Sequence, residues 1–158
     1  MEYLEDVYFA NLNVKCFIGG FFAPDKDRDW SCASGKFELN KFYYITKGQC
    51  VITIEGKTYM ANAGDWFFIP RYAEHSYYKV KGCEFEKYWM HFELFPDEDL
   101  FQKLELGYHI NIGLNQRVMD LFACFATMNE GSLVTDRLMV KSLLFALLSE
   151  YIKAYKPT

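Results

Sequence analysis

Three glycines at intervals of eight, Gly48, Gly56 and Gly64, constrain this chain more than any other feature. The segments between and around them, FYYIT, QCVITIE and KTYMA, are each long enough for one strand and too short for a stable helix. Glycine reverses a chain at positive φ without the clash a side chain would meet. Pro70 follows Gly64 by six residues and His75 follows Pro70 by five, so the rhythm continues. The pattern predicts strands over 14–22, 42–46, 49–55, 58–61, 65–69, 74–80 and 84–94, with a break at Gly19-Gly20 and a polar loop over APDKDRDWS. Short strands at this spacing predict a barrel or a sandwich.

A chain of 158 residues with about half its residues apolar buries one good core, so one domain with an appendage is expected. Aromatic residues make up 19% of it, enough to line a barrel with rings that pack and also touch a ligand. Seventeen basic and 21 acidic side chains are interspersed, with no basic run to follow a phosphate backbone, so the chain itself is not expected to bind DNA. Five scattered cysteines without a C-x-x-C pair point to a reduced setting rather than to zinc or a disulfide framework. The start, MEYLEDVYFA, lacks the basic and apolar regions of a secretory signal, and no apolar run reaches the length of a membrane span. A cytoplasmic protein without a membrane partner is the expectation.

After Pro96 the pattern changes. A short DEDLFQKL segment leads through Gly107 and Gly113 to a helix expected from an Asn115 N-cap, along Val118, Leu121, Phe122 and Phe125, to a stop at Gly131. Ser132 then offers a cap for a second helix over 133–155. That helix carries one apolar seam at Val140, Leu143, Leu144, Leu147 and Tyr151 and another at Leu138, Phe145, Leu148 and Ile152. Two seams need two partners. Leu138, Phe145, Leu148 and Ile152 are therefore expected at a homodimer interface, the alternative being a helix sandwiched inside one monomer.

The order Gly48, Gly56, the Gly64-Asp65 pair, Pro70 and His75, followed by the strand KYWMHF and two helices, resembles the amino-terminal sensing and dimerisation domain of AraC-type transcription regulators. The resemblance covers about residues 14–155, and its first half is shared with cupins generally. It implies a mainly β fold with C-terminal helices: a cupin-like double-stranded β-helix, or jelly-roll, barrel with an amino-terminal arm over 1–96, and a helical dimerisation segment packed on it over 97–158, as one structural domain. It also implies that DNA is contacted only through a carboxy-terminal helix-turn-helix part absent from this chain.

Four metal ligands are usual in cupins, and here the glutamate position is Lys41, the His-x-His positions fall near Gly35 and Phe37, and only His75 matches. No metal and no cofactor are expected. By cupin position His75 faces inward, and period two puts Tyr77 and Lys79 beside it and sends Ser76 and Tyr78 outward. Phe85, Lys87, Trp89 and His91 likewise share one face. Sugar-binding members of the family place a tryptophan at Trp89 and a tyrosine at Tyr77, but a histidine at Lys87. The candidate ligand-binding residues are therefore Lys41, Tyr43, His75, Tyr77, Lys87 and Trp89, for a sugar or a small anionic or carbonyl-bearing compound. The rings could instead be plain core, the lysines could send their ammonium groups to water, and His75 could be a satisfied core histidine.

The expected function is non-enzymatic effector sensing and dimerisation, with no catalytic residues and an amino-terminal arm that folds over the pocket mouth or docks elsewhere. The alternatives are a metal-independent cupin enzyme of the sugar isomerase or epimerase type, with His75 and Tyr77 or Lys87 moving protons, and a stand-alone cupin binding protein.

Overall fold

The computed structural model describes residues 6–96 and 100–156. After a short helix α1 (Asp6–Asn11) come eight strands: β1 (Asn13–Phe22), β2 (Ser31–Gly35), β3 (Asn40–Lys47), β4 (Cys50–Ile54), β5 (Lys57–Ala61), β6 (Asp65–Ile69), β7 (His75–Lys79) and β8 (Glu86–Phe95). Then follow α2 (Leu100–Lys103), β9 (His109–Asn111), α3 (Gln116–Met128) and α4 (Val134–Tyr155). The strands form two antiparallel sheets, β1-β8-β3-β6-β9 and β2-β7-β4-β5. This is the jelly-roll architecture that the family resemblance implies, mainly β with C-terminal helices.

Strands β3 and β6 of the larger sheet are buried on both faces, which explains their continuous apolar sequence. On β3, Tyr43 and Ile45 join the core between the sheets, while Phe42 and Tyr44 join the core under the helices. On β6, Phe67 and Ile69 face in, and Trp66 and Phe68 face the helices. On β8, Met90, Phe92 and Leu94 pack toward the helices, leaving Lys87 and Trp89 for the barrel interior. Phe122 of α3 stacks on Tyr44 and Tyr88, and Phe101 of α2 stacks on Phe68 at 3.6 Å. The Tyr44 hydroxyl donates to the Gly113 carbonyl and accepts from the Asn115 N–H, fixing the start of α3 to the sheet.

Asn115 caps α3 as expected, its Oδ1 accepting from the Val118 N–H at 3.1 Å. Five expectations are corrected. Gly19 and Gly20 do not break β1; a Cβ on Gly19 would stand 2.6 Å from the Phe125 ring, so this glycine lets the strand and α3 close together. Strand β2 begins inside the stretch read as loop, and β9 was not foreseen; it pairs with β6 from within the segment read as helical. Ser132 does not cap α4: the helix starts from Leu133, whose N–H donates to the Asp136 carboxylate at 3.1 Å. Finally, α3 ends at Met128, before Gly131.

Seam one of α4 is buried at Leu143, Leu144, Leu147 and Tyr151. In seam two, Leu148 is also buried in the chain's own core, Leu138 is 63% exposed, and Phe145 and Ile152 are partly covered. Phe145, Leu148 and Ile152 line an apolar groove of about 440 Å³ with Phe9, Leu12, Leu100 and Leu104. The described part of the amino-terminal arm thus lies against the helices and not at the barrel mouth; residues 1–5 lie outside the described residues. All five cysteines are free thiols. Among the described residues no helix is long and apolar enough to cross a membrane.

Candidate functional site

The inner face of the barrel carries two lysine side chains where a core normally has none. Lys41 and Lys87 are 2% and 3% exposed, so neither ammonium snorkels to water. They belong to neighbouring strands whose register places Lys41 beside His91, Tyr43 beside Trp89, and Ile45 beside Lys87. Among the described residues no carboxylate forms an ion pair with either lysine.

Lys41 Nζ stands 3.0 Å from His75 Nε2 and 3.6 Å from the centroid of the Phe37 ring. His75 Nδ1 lies 3.0 Å from the carbonyl oxygen of Ala73, which can only accept. Nδ1 therefore carries the ring proton, and Nε2 offers its lone pair to Lys41. Burial pulls Lys41 down to about 8, still a cation at neutral pH. Burial, together with the neighbouring cation and against the bond to Ala73, keeps His75 below the usual histidine range. Burial and the nearby Lys41, Lys87 and His75 pull His91 down to about 4. A cavity of about 330 Å³ opens onto Lys41 and His91 between Lys36, Phe37, Glu38 and Leu39.

Deeper in the barrel, Lys87 Nζ sits 3.5 Å from the Tyr43 ring and 3.9 Å from the Trp30 ring, with Phe22 and Tyr77 within 6 Å. Trp30 stacks on Tyr77 at 4.0 Å and on Phe85 at 5.3 Å. Its backbone is held by a hydrogen bond from the Lys79 N–H to the Trp30 carbonyl, and the Lys79 ammonium is absorbed by the carbonyls of Lys26 and Cys83. Burial holds Lys87 well below the usual lysine range. Cys50, whose thiolate would raise it, is itself pushed up to about 12 by burial and stays neutral.

The structure thus brings Lys41, Tyr43, His75, Tyr77 and Lys87 together, and the parity expected on β7 and β8 holds: Tyr78 is 54% exposed while His75 is 2% exposed. Trp89 lies on the same face but faces His91, at 5.1 Å, outside the cage around Lys87. Sequence reasoning missed Trp30, Phe22 and Phe37. The one signal for Trp30 was an indole closing the otherwise charged run DKDRD. Among the described residues no three His, Cys, Asp or Glu side chains converge on a point that could hold a metal ion.

The sequence matches the AraC-like ligand binding domain family over residues 26–148. ToxT from Vibrio cholerae superposes with a TM-score of 0.51 at 8% identity, covering 92% of this chain and 57% of that one, a likeness of fold alone. Shorter overlaps are found with the Cnp3 cupin domain of Schizosaccharomyces pombe (TM-score 0.39, 15% identity, 61% of this chain and 72% of that one) and a cupin superfamily protein from Desulfitobacterium hafniense (0.39, 14%, 58% and 82%). A search of curated proteins returned no match. Since the family match runs from the loop before β2 well into α4, and so takes in every strand but β1, all of α3 and most of α4, this chain belongs to the AraC-like ligand binding domain family.

Proposed function

We propose that the barrel senses a small anionic effector, with Lys41 receiving the anion, and that the chain acts as the sensing and dimerisation part of an AraC-type transcription regulator. The observation that carries the ligand reading is the pair of lysines at 2% and 3% exposure with no carboxylate partner among the described residues. An unpaired buried cation is costly, and a ligand carboxylate reached through the cavity at Lys41 and His91 offsets that cost with a charge-assisted hydrogen bond. Tyr43, Tyr77 and Trp89 supply flat faces for the body of the ligand.

Both ring nitrogens of His75 are already engaged, one by Lys41 and one by Ala73, which supports binding over proton transfer. The effector would act by linkage, favouring one arrangement of barrel and helices over another. The exposed apolar residues Val134, Leu138 and Met139 and the groove at Phe145 and Ile152 support α4 as the dimer contact. DNA would be contacted by a helix-turn-helix part outside these 158 residues. Free cysteines fit a reducing cytoplasm.

The test is thermal denaturation with panels of aliphatic and aromatic carboxylates, neutral sugars and phosphate, since a ligand of the native state raises Tm by mass action. A carboxylate that raises Tm in the native chain and not in Lys41→Met supports the reading. Stabilisation by neutral sugars alone, undiminished in Lys41→Met, overturns the anionic assignment.

A further inference from the structure

Lys87 has no part in the anchoring role given to Lys41, and its surroundings differ in kind. Its ammonium nitrogen faces the rings of Tyr43, Trp30, Phe22 and Tyr77, and among the described residues it has neither a hydrogen-bond acceptor nor a carboxylate. An apolar box with a second cation nearby favours the uncharged amine, which is the nucleophilic form of a lysine. The groups that face it are Cys50 from β4, a neutral thiol, the phenols of Tyr43 and Tyr77, and the Lys41 cation from β3, so no anion restores its charge.

We propose that Lys87 captures carbonyl compounds, condensing with the aldehyde or ketone of an oxo acid whose carboxylate is held by Lys41, and that the effector is bound as a reversible imine. The inference rests on the effector reading of the same barrel. The Lys87 nitrogen attacks the carbonyl carbon and forms the C–N bond, while the π pair moves to oxygen. The two protons of the amine then leave with that oxygen as one water molecule, and the C=N bond closes. No oxidant, reductant or further reactant is needed, and hydrolysis reverses the step.

The two lysines suit one bifunctional ligand. Lys41 Nζ is 6.0 and 5.9 Å from the Tyr43 and Tyr77 rings, and Lys87 Nζ is 3.5 and 5.6 Å from the same rings, so both nitrogens flank one pair of aromatic faces. Access has a structural route as well. The Trp30 ring covers Lys87 Nζ at 3.9 Å and stacks on Phe85, which lines a cavity of about 550 Å³ together with Glu86 and loop residues 23–28. Rotation of the indole about its own side-chain bonds would uncover the amine while Lys79 holds the backbone.

The test is reductive trapping. The protein is incubated at neutral pH with glyoxylate or pyruvate and cyanoborohydride, and the sites of adduct formation are mapped by peptide mass spectrometry. Labelling at Lys87 at least about tenfold above exposed lysines such as Lys57 and Lys81 is expected, because an ordinary lysine holds only a trace of free amine at that pH. Trp30→Ala should speed the labelling. Label spread over surface lysines with none at Lys87 overturns the proposal, and mapping in the unaltered chain makes that result independent of how any variant folds. A carboxylate without a carbonyl, such as benzoate, run in parallel separates the two readings. Stabilisation by benzoate with no trapping sinks the imine alone, whereas neither effect sinks both.

Discussion

Lys41 donates to the same histidine whose other nitrogen is tied to the backbone: Nζ lies 3.0 Å from His75 Nε2, and Nδ1 lies 3.0 Å from the carbonyl oxygen of Ala73. One proton placement satisfies all three groups, with the ring neutral and Lys41 charged. Lys41 then keeps N–H bonds free for a ligand, and His75 orients it.

Replacing Lys41 by Met removes the cation that helps hold His75 below the ordinary histidine range, alongside the larger effect of burial. The His75 pKa should therefore rise, read from its ring resonances in an NMR titration. Carboxylate affinity should fall by about tenfold or more, the worth of one charge-assisted hydrogen bond. An unmoved His75 titration would mean that the two side chains do not interact in solution.

Two lysines with lowered pKa give the chain an unusual alkaline limb. The unfolded chain holds their protons up to the ordinary lysine value, while folded Lys41 releases its proton at about 8 and Lys87 well below the usual lysine range. Over that interval the unfolded state binds more protons, so stability rises with pH. Above about pH 9 Cys16 and Cys50, raised by burial to about 12, ionise first in the unfolded chain and offset the rise, and past the ordinary lysine value of 10.5 only their opposite slope remains. The melting temperature should climb from pH 7 to about 9, level off, and fall above about 10.5. Lys87→Met should flatten the climb and raise stability by about 1–3 kcal/mol, the cost of an unpaired buried polar group. A Tm that falls steadily from pH 7 would show that both amines are paired or hydrated.

On the acid side His91 governs. Its folded pKa of about 4 lies below the model-peptide value of 6.5, so the unfolded chain takes up the proton first as pH falls, and stability drops between those values. His75, also lowered, adds to the same limb. Asp65 does not: burial pushes its carboxyl up, but bonds from His109, the Asn62 N–H and Asn111 together hold it below the ordinary range, so it titrates later. His91→Phe should remove a large part of the slope between pH 6.5 and 4 in urea unfolding. An unchanged slope would move its origin to His75.

How much of this was legible depends on which physical signal each element leaves. His75 was placed inside by the family resemblance, and Tyr77 beside it, like Lys87 beside Trp89, by strand parity, which is strict once one member of a face is fixed. Asn115 was legible because capping is local chemistry. Strand β9 was not, since three residues paired with a strand more than forty positions earlier leave no periodicity to read. Trp30 was missed for the same reason: a charged loop carries it, and only the pairing of β2 with β7 brings its ring over Tyr77. The fate of Leu148 was hidden because helical spacing groups residues into seams without saying how wide the buried stripe is.

The exposed end of α4 makes dimerisation testable apart from ligand binding. Leu138 is 63% exposed and far from the barrel interior in sequence and packing, so Leu138→Glu should leave the fold and the carboxylate response intact. If the helix is the dimer contact, sedimentation should show a monomer for this variant and a dimer for the native chain, because a buried unpaired carboxylate costs more than a peripheral apolar contact contributes. A native chain that sediments as a monomer at micromolar concentration overturns the dimer reading outright.

Two glycines separate strain from packing in the barrel's turns. Gly48 and Gly56 have nearly equal positive φ values, +78° and +81°, so alanine at either position meets the same backbone penalty, about 1–2 kcal/mol for a left-handed L-residue. Their surroundings differ completely. A Cβ on Gly56 meets nothing within 4 Å, whereas a Cβ on Gly48 would lie 1.8 Å from the carbonyl oxygen of Glu84 and 3.0 Å from the Phe85 Cα. That carbonyl is backbone and cannot swing aside, so Gly48→Ala must displace the approach to β8, which carries Phe85, and with it Lys87 at the start of the strand. Gly48→Ala should cost at least about 2 kcal/mol more than Gly56→Ala in urea unfolding, in line with overpacking a filled site. It should also weaken carboxylate binding, which Gly56→Ala should leave unchanged. Equal losses in the two variants would mean that the β3–β4 turn does not pack against the approach to β8, and that the site's floor is set from elsewhere.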